Sequence, residues 1–309
     1  MMTPRPGLIS LFFISLFFFA ACTLAGPGLE TPVSTQIPTL VVIEPTQTVV
    51  AVPSPTLRTS AVETVPPPAP TDQVCSPLTR QAGSVGRGLL DKPMDYYVLL
   101  PPCYEQQSDQ DYPVLYLLHG LGADQEQWLR LGIEEQAAGM MQSGEILPFL
   151  IVLPFDHSFR QPGEYRFEEV FLEHLLLEIE TFYRTRPERS ARAVGGLSRG
   201  GAWAIYLASR NPHLFSAVGG HSPVVFPSTG GTLRLLLRDM PPDLRPTFYV
   251  DAGDRDVGFR GVQEFTALLD YYGYPHEWRQ NLGYHDETYW RKNLEDYLRW
   301  YGGQFLNAP

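Results

Sequence analysis

Residues 196–200 read Gly-Leu-Ser-Arg-Gly, a serine set between glycines after the apolar run RAVGGL and before the helix-like stretch GGAWAIYLASRN. A strand, a sharp turn and a helix in that order are the setting of a nucleophile elbow. There a serine hydroxyl is presented at the carboxyl end of a sheet, and small neighbours are needed sterically. A hydroxyl is a weak nucleophile until a base takes its proton, so Ser198 requires an imidazole and a carboxylate brought to it by the fold. Downstream, YVDAGDRDVGF carries Asp251, Asp254 and Asp256, and NLGYHDETYW carries His285 on a glycine-containing loop. Asp256 is the expected acid because it lies several residues past the strand end. Asp254 is held in reserve, and Asp251 comes last because it falls within the strand. His285 is the expected base; His276 lies inside a strand. A tetrahedral intermediate also needs N–H donors for its oxyanion. The backbone N–H of Arg199 directly follows the nucleophile. That of Leu121 follows His119-Gly120, where Gly120 leaves room for a substrate carbonyl and His119 orients the turn through a hydrogen bond.

These groups need elements to aim them. MDYYVLL (94–100), PVLYLLH (113–119), FLIVLP (149–154), RAVGGL (192–197), FSAVGG (215–220), PTFYVDAG (246–253) and PHEWRQN (275–281) read as strands. Several are apolar without alternation, the pattern of strands covered on both faces. Between them DQEQWLRLG, FEEVFLEHLLLEIETFYR, GGAWAIYLASRN, VQEFTALLDYYG and DETYWRKNLEDYLRWYG read as helices. The second carries an apolar stripe of Phe167, Val170, Phe171, Leu175, Ile179 and Phe182. Alternating strands and helices predict an α/β fold with a mainly parallel central sheet and helices on both faces.

The segments YPVLYLLHGLGADQEQW, GLSRGGAWAIYLASRNPHLFSAVGGHSP, DAGDRD and GYHDETYW, in this order over residues 85–302, resemble the esterase D-type esterase family of the α/β-hydrolase superfamily. Its relatives include enterochelin esterases, feruloyl and acetyl-xylan esterases, S-formylglutathione hydrolases and mycolyltransferases. The resemblance implies an α/β-hydrolase fold, a triad of Ser198, Asp256 and His285, an oxyanion hole from Leu121 and Arg199, and no cofactor. It implies a serine esterase working through an acyl-enzyme. Acyl transfer of the mycolyltransferase type would use the same triad, and a surface-displayed binding lipoprotein with a retired hydrolase fold is the non-catalytic alternative. Trp128 matches a tryptophan often found after the oxyanion turn, where it either lines the acyl pocket or simply packs in the core. Arg199 departs from the methionine of many relatives. It puts a cation beside the nucleophile that either recruits an anionic substrate or pairs with a nearby acid. His174 stands where relatives carry an acidic residue and reads as a packing or helix-face residue. The loop PFDHSFRQPGEYRFEE, with Asp156, His157 and Arg160, is the expected substrate-side segment.

Residues 1–22 read as an export signal, with Arg5, an apolar run from Leu8 to Ala21, and Cys22 in FAAC, which resembles a lipoprotein box. Lipidation at Cys22 would tether the chain to the outer face of a bacterial membrane; otherwise it is secreted. Residues 23–73 are rich in Thr, Pro and Val and read as a stiffened spacer, leaving an esterase domain over 74–309. Cys75 and Cys103 are the remaining cysteines, and in an oxidising compartment they are expected to form a disulfide. A formal net charge of −11 and the lack of any basic run argue against nucleic acid as a partner. The seven histidines show no HxH or HExxH spacing, so no metal is expected.

Overall fold

The computed structural model describes residues 75–224, 226 and 229–306. The expected leader with Cys22 and the spacer lie outside the described residues. The elements run β1 (Thr79–Val85), β2 (Met94–Leu100), β3 (Val114–Leu118), α1 (Gln127–Arg130), α2 (Ile133–Gln142), β4 (Leu150–Pro154) and α3 (Phe167–Glu169). From α3 a π-helical segment, Val170–Leu175, leads into α4 (Leu176–Phe182). There follow β5 (Arg192–Leu197), α5 (Arg199–Arg210), β6 (Ala217–His221), α6 (Gly230–Asp239), β7 (Thr247–Gly253), α7 (Phe259–Tyr272), β8 (His276–Asn281) and α8 (Glu287–Leu306). Eight strands form one sheet in the order β1-β2-β4-β3-β5-β6-β7-β8. β1, β2 and β4 pair antiparallel; β4, β3 and β5 through β8 pair parallel. This is the mainly parallel sheet that the run of apolar strands predicted.

Strand β3 shows why those strands do not alternate. Val114, Tyr116 and Leu118 enter one core with Phe171, Trp203 and Phe248. Leu115 and Leu117 enter the other with Trp128, Phe149, Tyr297 and Phe305. Both faces of the strand are buried, so both sets of alternate positions must be apolar.

Three features depart from the expectation. Polar β1 was not legible as a strand; it is an exposed edge, paired to β2 from Thr79↔Leu100 to Val85↔Met94, and its order comes from that pairing. Helices α2 and α6 also lie beyond the five expected ones, α6 because Gly230-Gly231 at its start masks the signal of Leu233 and Leu237. In the long helix, Phe167, Val170, Phe171, Leu175 and Ile179 are buried as expected, but Phe182, the last helical residue before extended Tyr183, is 70% exposed. No helix among the described residues is long and apolar enough to cross a membrane.

Topology decides where a site can form. From β3 the chain goes to β4 on one side and then to β5 on the other, so strand order reverses between them. In open α/β sheets the crevice beyond the carboxyl ends at such a switch is where ligands bind. Leu118 at the end of β3 pairs with Gly196 near the end of β5, which sets the turn after β3 beside Ser198.

Candidate active site

Ser198 lies between β5 and α5 with φ 52° and ψ −113°, a strained backbone for a residue with a side chain. Close packing of the turn explains its glycines. A Cβ on Gly196 would lie 2.7 Å from the Leu118 carbonyl oxygen, and one on Gly200 would lie 2.6 Å from that of His119. The turn is tied to β6: the Ser198 N–H donates to the His221 carbonyl (2.8 Å), and the Val224 N–H donates to the Ser198 carbonyl (3.2 Å).

His285 follows β8. Its Nε2 is 2.8 Å from Ser198 Oγ, and its Nδ1 is 3.0 and 2.9 Å from the two carboxylate oxygens of Asp256, beyond the end of β7. An N–H at Nδ1 donating to Asp256 leaves Nε2 as the lone-pair acceptor for the serine proton. Burial alone would raise the Asp256 pKa, but hydrogen bonds from His285 and from the Gly258 N–H outweigh it and hold the carboxyl below its ordinary value. The other two aspartates have different work. Asp254 Oδ1 accepts from the Gly283 N–H (3.0 Å) and shapes the loop that carries His285. Asp251 is fully buried within β7.

Arg199 is the first residue of α5, so its N–H has no acceptor within the helix. The Leu121 N–H meets no backbone acceptor among the described residues. Both are therefore available to an oxyanion. Gly120, just before Leu121, is fixed by its own N–H donating to Gln127 Oε1 (2.8 Å), and a Cβ there would sit 3.7 Å from Ser198 Cβ, in the space beside the nucleophile. His119 Nδ1 donates to the Gly120 carbonyl (2.8 Å), and its Nε2 accepts from the Asp156 N–H (2.9 Å). A ring nitrogen that accepts from an amide carries no proton, so this imidazole is neutral. Burial accordingly lowers its pKa.

The Arg199 guanidinium is spoken for. It forms a buried ion pair with Asp156 and donates to the Arg160 carbonyl, while the Tyr165 hydroxyl donates to the other oxygen of Asp156. Of its two expected roles the structure shows the pairing with an acid. Asp156 is thereby removed from the expected substrate contacts, since both its oxygens are engaged inside the protein. His157 packs at a tilt against Phe155 with ring centroids 3.7 Å apart and lies 3.5 Å from an Asp95 oxygen. Arg160 lies 3.3 Å from Asp91. Both line a cavity next to the Ser198 cleft rather than the cleft itself. Of the two roles expected for Trp128 the structure shows packing: it is fully buried, its indole N–H donates to the Leu118 carbonyl (3.2 Å), and it braces the end of β3 instead of lining a pocket. Of the two roles expected for His174, packing and helix face, the exposed side chain takes the second. Cys75 and Cys103 are bonded, with Cα atoms 4.6 Å apart.

Sequence reasoning missed a buried polar cluster beneath the elbow. His221 Nδ1 is 2.9 Å from Asp251 Oδ1, and the hydroxyls of Tyr289 (2.6 Å) and Tyr297 (2.8 Å) donate to Asp251 Oδ2. The Tyr301 hydroxyl is 3.0 Å from His221 Nε2. Burial first, and Asp251 second, raise the pKa of Tyr289 and Tyr297, so both phenols stay protonated as donors. The signal was present: a histidine and an aspartate inside otherwise apolar strands must find buried partners.

Comparison with known proteins agrees with this architecture. A family model described as "Putative esterase" matches residues 88–301. An endo-1,4-beta-xylanase/feruloyl esterase of Xylanibacter ruminicola is 28% identical over 61% of this chain and 26% of its own length. Esterase Rv1288 of Mycobacterium tuberculosis is 36% identical over 40% of this chain and 28% of its own length. The chain thus matches only about a quarter of the length of these curated relatives. Among solved structures, a ferulic acid esterase superposes with a TM-score of 0.67 at 26% identity, covering 74% of this chain and 100% of that one. The serine hydrolase FphF of Staphylococcus aureus, at 19% identity and a TM-score of 0.63 over 74% of this chain and 99% of that one, shares the fold.

Proposed function

This chain belongs to the family of the "Putative esterase" model, and from that membership and the geometry at Ser198 we propose that it is a serine hydrolase of carboxylic esters. One observation carries the reading: His285 Nε2 lies 2.8 Å from Ser198 Oγ while its Nδ1 rests on both oxygens of Asp256.

The steps follow from those contacts. As Ser198 Oγ attacks the ester carbonyl, its proton passes to His285 Nε2, and Asp256 stabilises the imidazolium through Nδ1–H. The oxyanion is held by the N–H groups of Leu121 and Arg199, the second at the positive end of α5. His285 then protonates the departing alkoxide, leaving an acyl-enzyme. Water deprotonated by the same nitrogen releases the acid and restores Ser198.

The test pairs a fluorophosphonate probe with turnover of p-nitrophenyl acetate and of feruloyl esters, which the relatives' names bring into the panel. Labelling of the wild type and loss of both labelling and turnover in Ser198→Ala are expected. Full turnover by Ser198→Ala would overturn the reading. Residues 1–22 are proposed to direct export, with Cys22 lipidated. The wild type would then incorporate labelled fatty acid, and Cys22→Ser would incorporate none.

A further inference from the structure

Two cavities meet at Phe159. The cleft over Ser198, of about 200 Å3, is bounded by Leu121, Arg199, Val224, Phe226 and Phe159. Its neighbour, of about 510 Å3, is bounded by Phe155, Arg160, Tyr165, Phe167 and the same Phe159. The buried ion pair also borders both cavities, with Arg199 lining the smaller and Asp156 the larger. Phe159 itself is 73% exposed, a large apolar side chain that the core does not hold.

The chemistry tells which part of an ester enters the smaller cleft. The departing alkoxide takes its proton from His285 Nε2, so the alcohol must lie on the imidazole side. The cleft's walls include Leu121 and Arg199, whose N–H groups face the oxyanion, and do not include His285. It is therefore the acyl side. At about 200 Å3 it falls below the roughly 300–1,000 Å3 of pockets that enclose drug-sized ligands, whereas the neighbouring cavity falls within that range.

We propose that Phe159 is a specificity-determining partition: in place, it limits the enzyme to short acyl groups, and its removal opens the acyl cleft into the adjacent aromatic-lined cavity. The inference rests on the serine-hydrolase reading above and adds the substrate class, esters of small acids. The ion pair fixes the loop carrying Phe159 through the Arg160 carbonyl, so the partition is set by the residue that follows the nucleophile.

The experiment measures kcat/KM for p-nitrophenyl acetate, butyrate, octanoate and ferulate, all with one leaving group, for wild type, Phe159→Ala, Phe159→Leu and Phe159→Trp. Each methylene newly buried is worth about fourfold in binding. The octanoate-to-acetate and ferulate-to-acetate ratios should therefore rise at least tenfold in Phe159→Ala. Phe159→Leu should fall between wild type and Phe159→Ala, and Phe159→Trp should show no gain. Ratios unchanged in Phe159→Ala, or an equal gain in Phe159→Trp, would overturn the partition. Wild type that turns over none of these esters would instead overturn the hydrolase reading, so the two failures are distinct.

Discussion

Asp256 meets the imidazole of His285 with both carboxylate oxygens, and an amide in its place would put a donor against Nδ1–H and reverse the tautomer that Ser198 needs. Asp256→Asn should lower kcat by roughly 10³–10⁴ with a much smaller change in KM, read from steady-state kinetics on p-nitrophenyl acetate. His119 carries the pH dependence. It is neutral in the fold because Nε2 accepts the Asp156 N–H, and burial holds its pKa below its ordinary value of about 6.5. The unfolded chain therefore binds a proton that the folded one refuses. The stabilisation is complete above the unfolded pKa and is lost as pH falls below it, by up to ~1.4 kcal/mol per pH unit until the folded pKa is reached. Urea midpoints between pH 7.5 and 5 should fall for the wild type and fall less steeply for His119→Gln. The elbow serine and the downstream histidine were legible because few residues could perform their task. The choice among Asp251, Asp254 and Asp256 rested on distance past a strand end. The structure brings Asp256 to His285, gives Asp254 to the Gly283 N–H and buries Asp251 among tyrosines.

At the scale of elements, the loop after β4 is held to α5 by one buried ion pair. Removing a single partner from such a pair strands the other charge, at a cost of about 3–5 kcal/mol. Arg199→Met should therefore destabilise the protein by that amount in urea unfolding, and Arg199→Met/Asp156→Asn should recover a large part of it. A surface role for Arg199 would show near-equal stability of the single variant, the double variant and the wild type. The strand RAVGGL, read as 192–197, is β5 over the same residues, because a run covered on both faces has sharp apolar limits. Edge strand β1 was not legible, since pairing with β2 rather than its own pattern orders it. The π-helical segment at 170–175 was likewise invisible, because insertion of a wider turn leaves a stripe of similar spacing on either side.

For the molecule as a whole, the strand reversal beside β3 places the ends of β3 and β5 together, while β7 and β8 deliver Asp256 and His285 from the same edge of the sheet. The Cys75–Cys103 bond closes a loop with a sequence separation of 28 and ties the chain before β1 to the turn after β2. A closure of that length stabilises by about 3–4 kcal/mol through the unfolded state. Cys75→Ser/Cys103→Ser should therefore unfold at lower urea and lower temperature, while keeping kcat on p-nitrophenyl acetate, because the bond lies at the edge opposite β7 and β8. The alternation of apolar strands and helices makes the layered architecture readable in the sequence.

Periodicity and the steric demands of a turn act over a few residues, so the amino-acid order alone was enough to specify the β5–Ser198–α5 elbow, the covered parallel strands and the acid-then-imidazole order of the downstream loops. Partnership acts across the chain. Arg199 and Asp156 are 43 positions apart, and Ser198 and His285 are 87 apart. Whether a cation is free or neutralised, whether Trp128 faces substrate or braces a strand, and where Phe159 divides two cavities depend on distances that exist only once the sheet has brought distant loops to one edge.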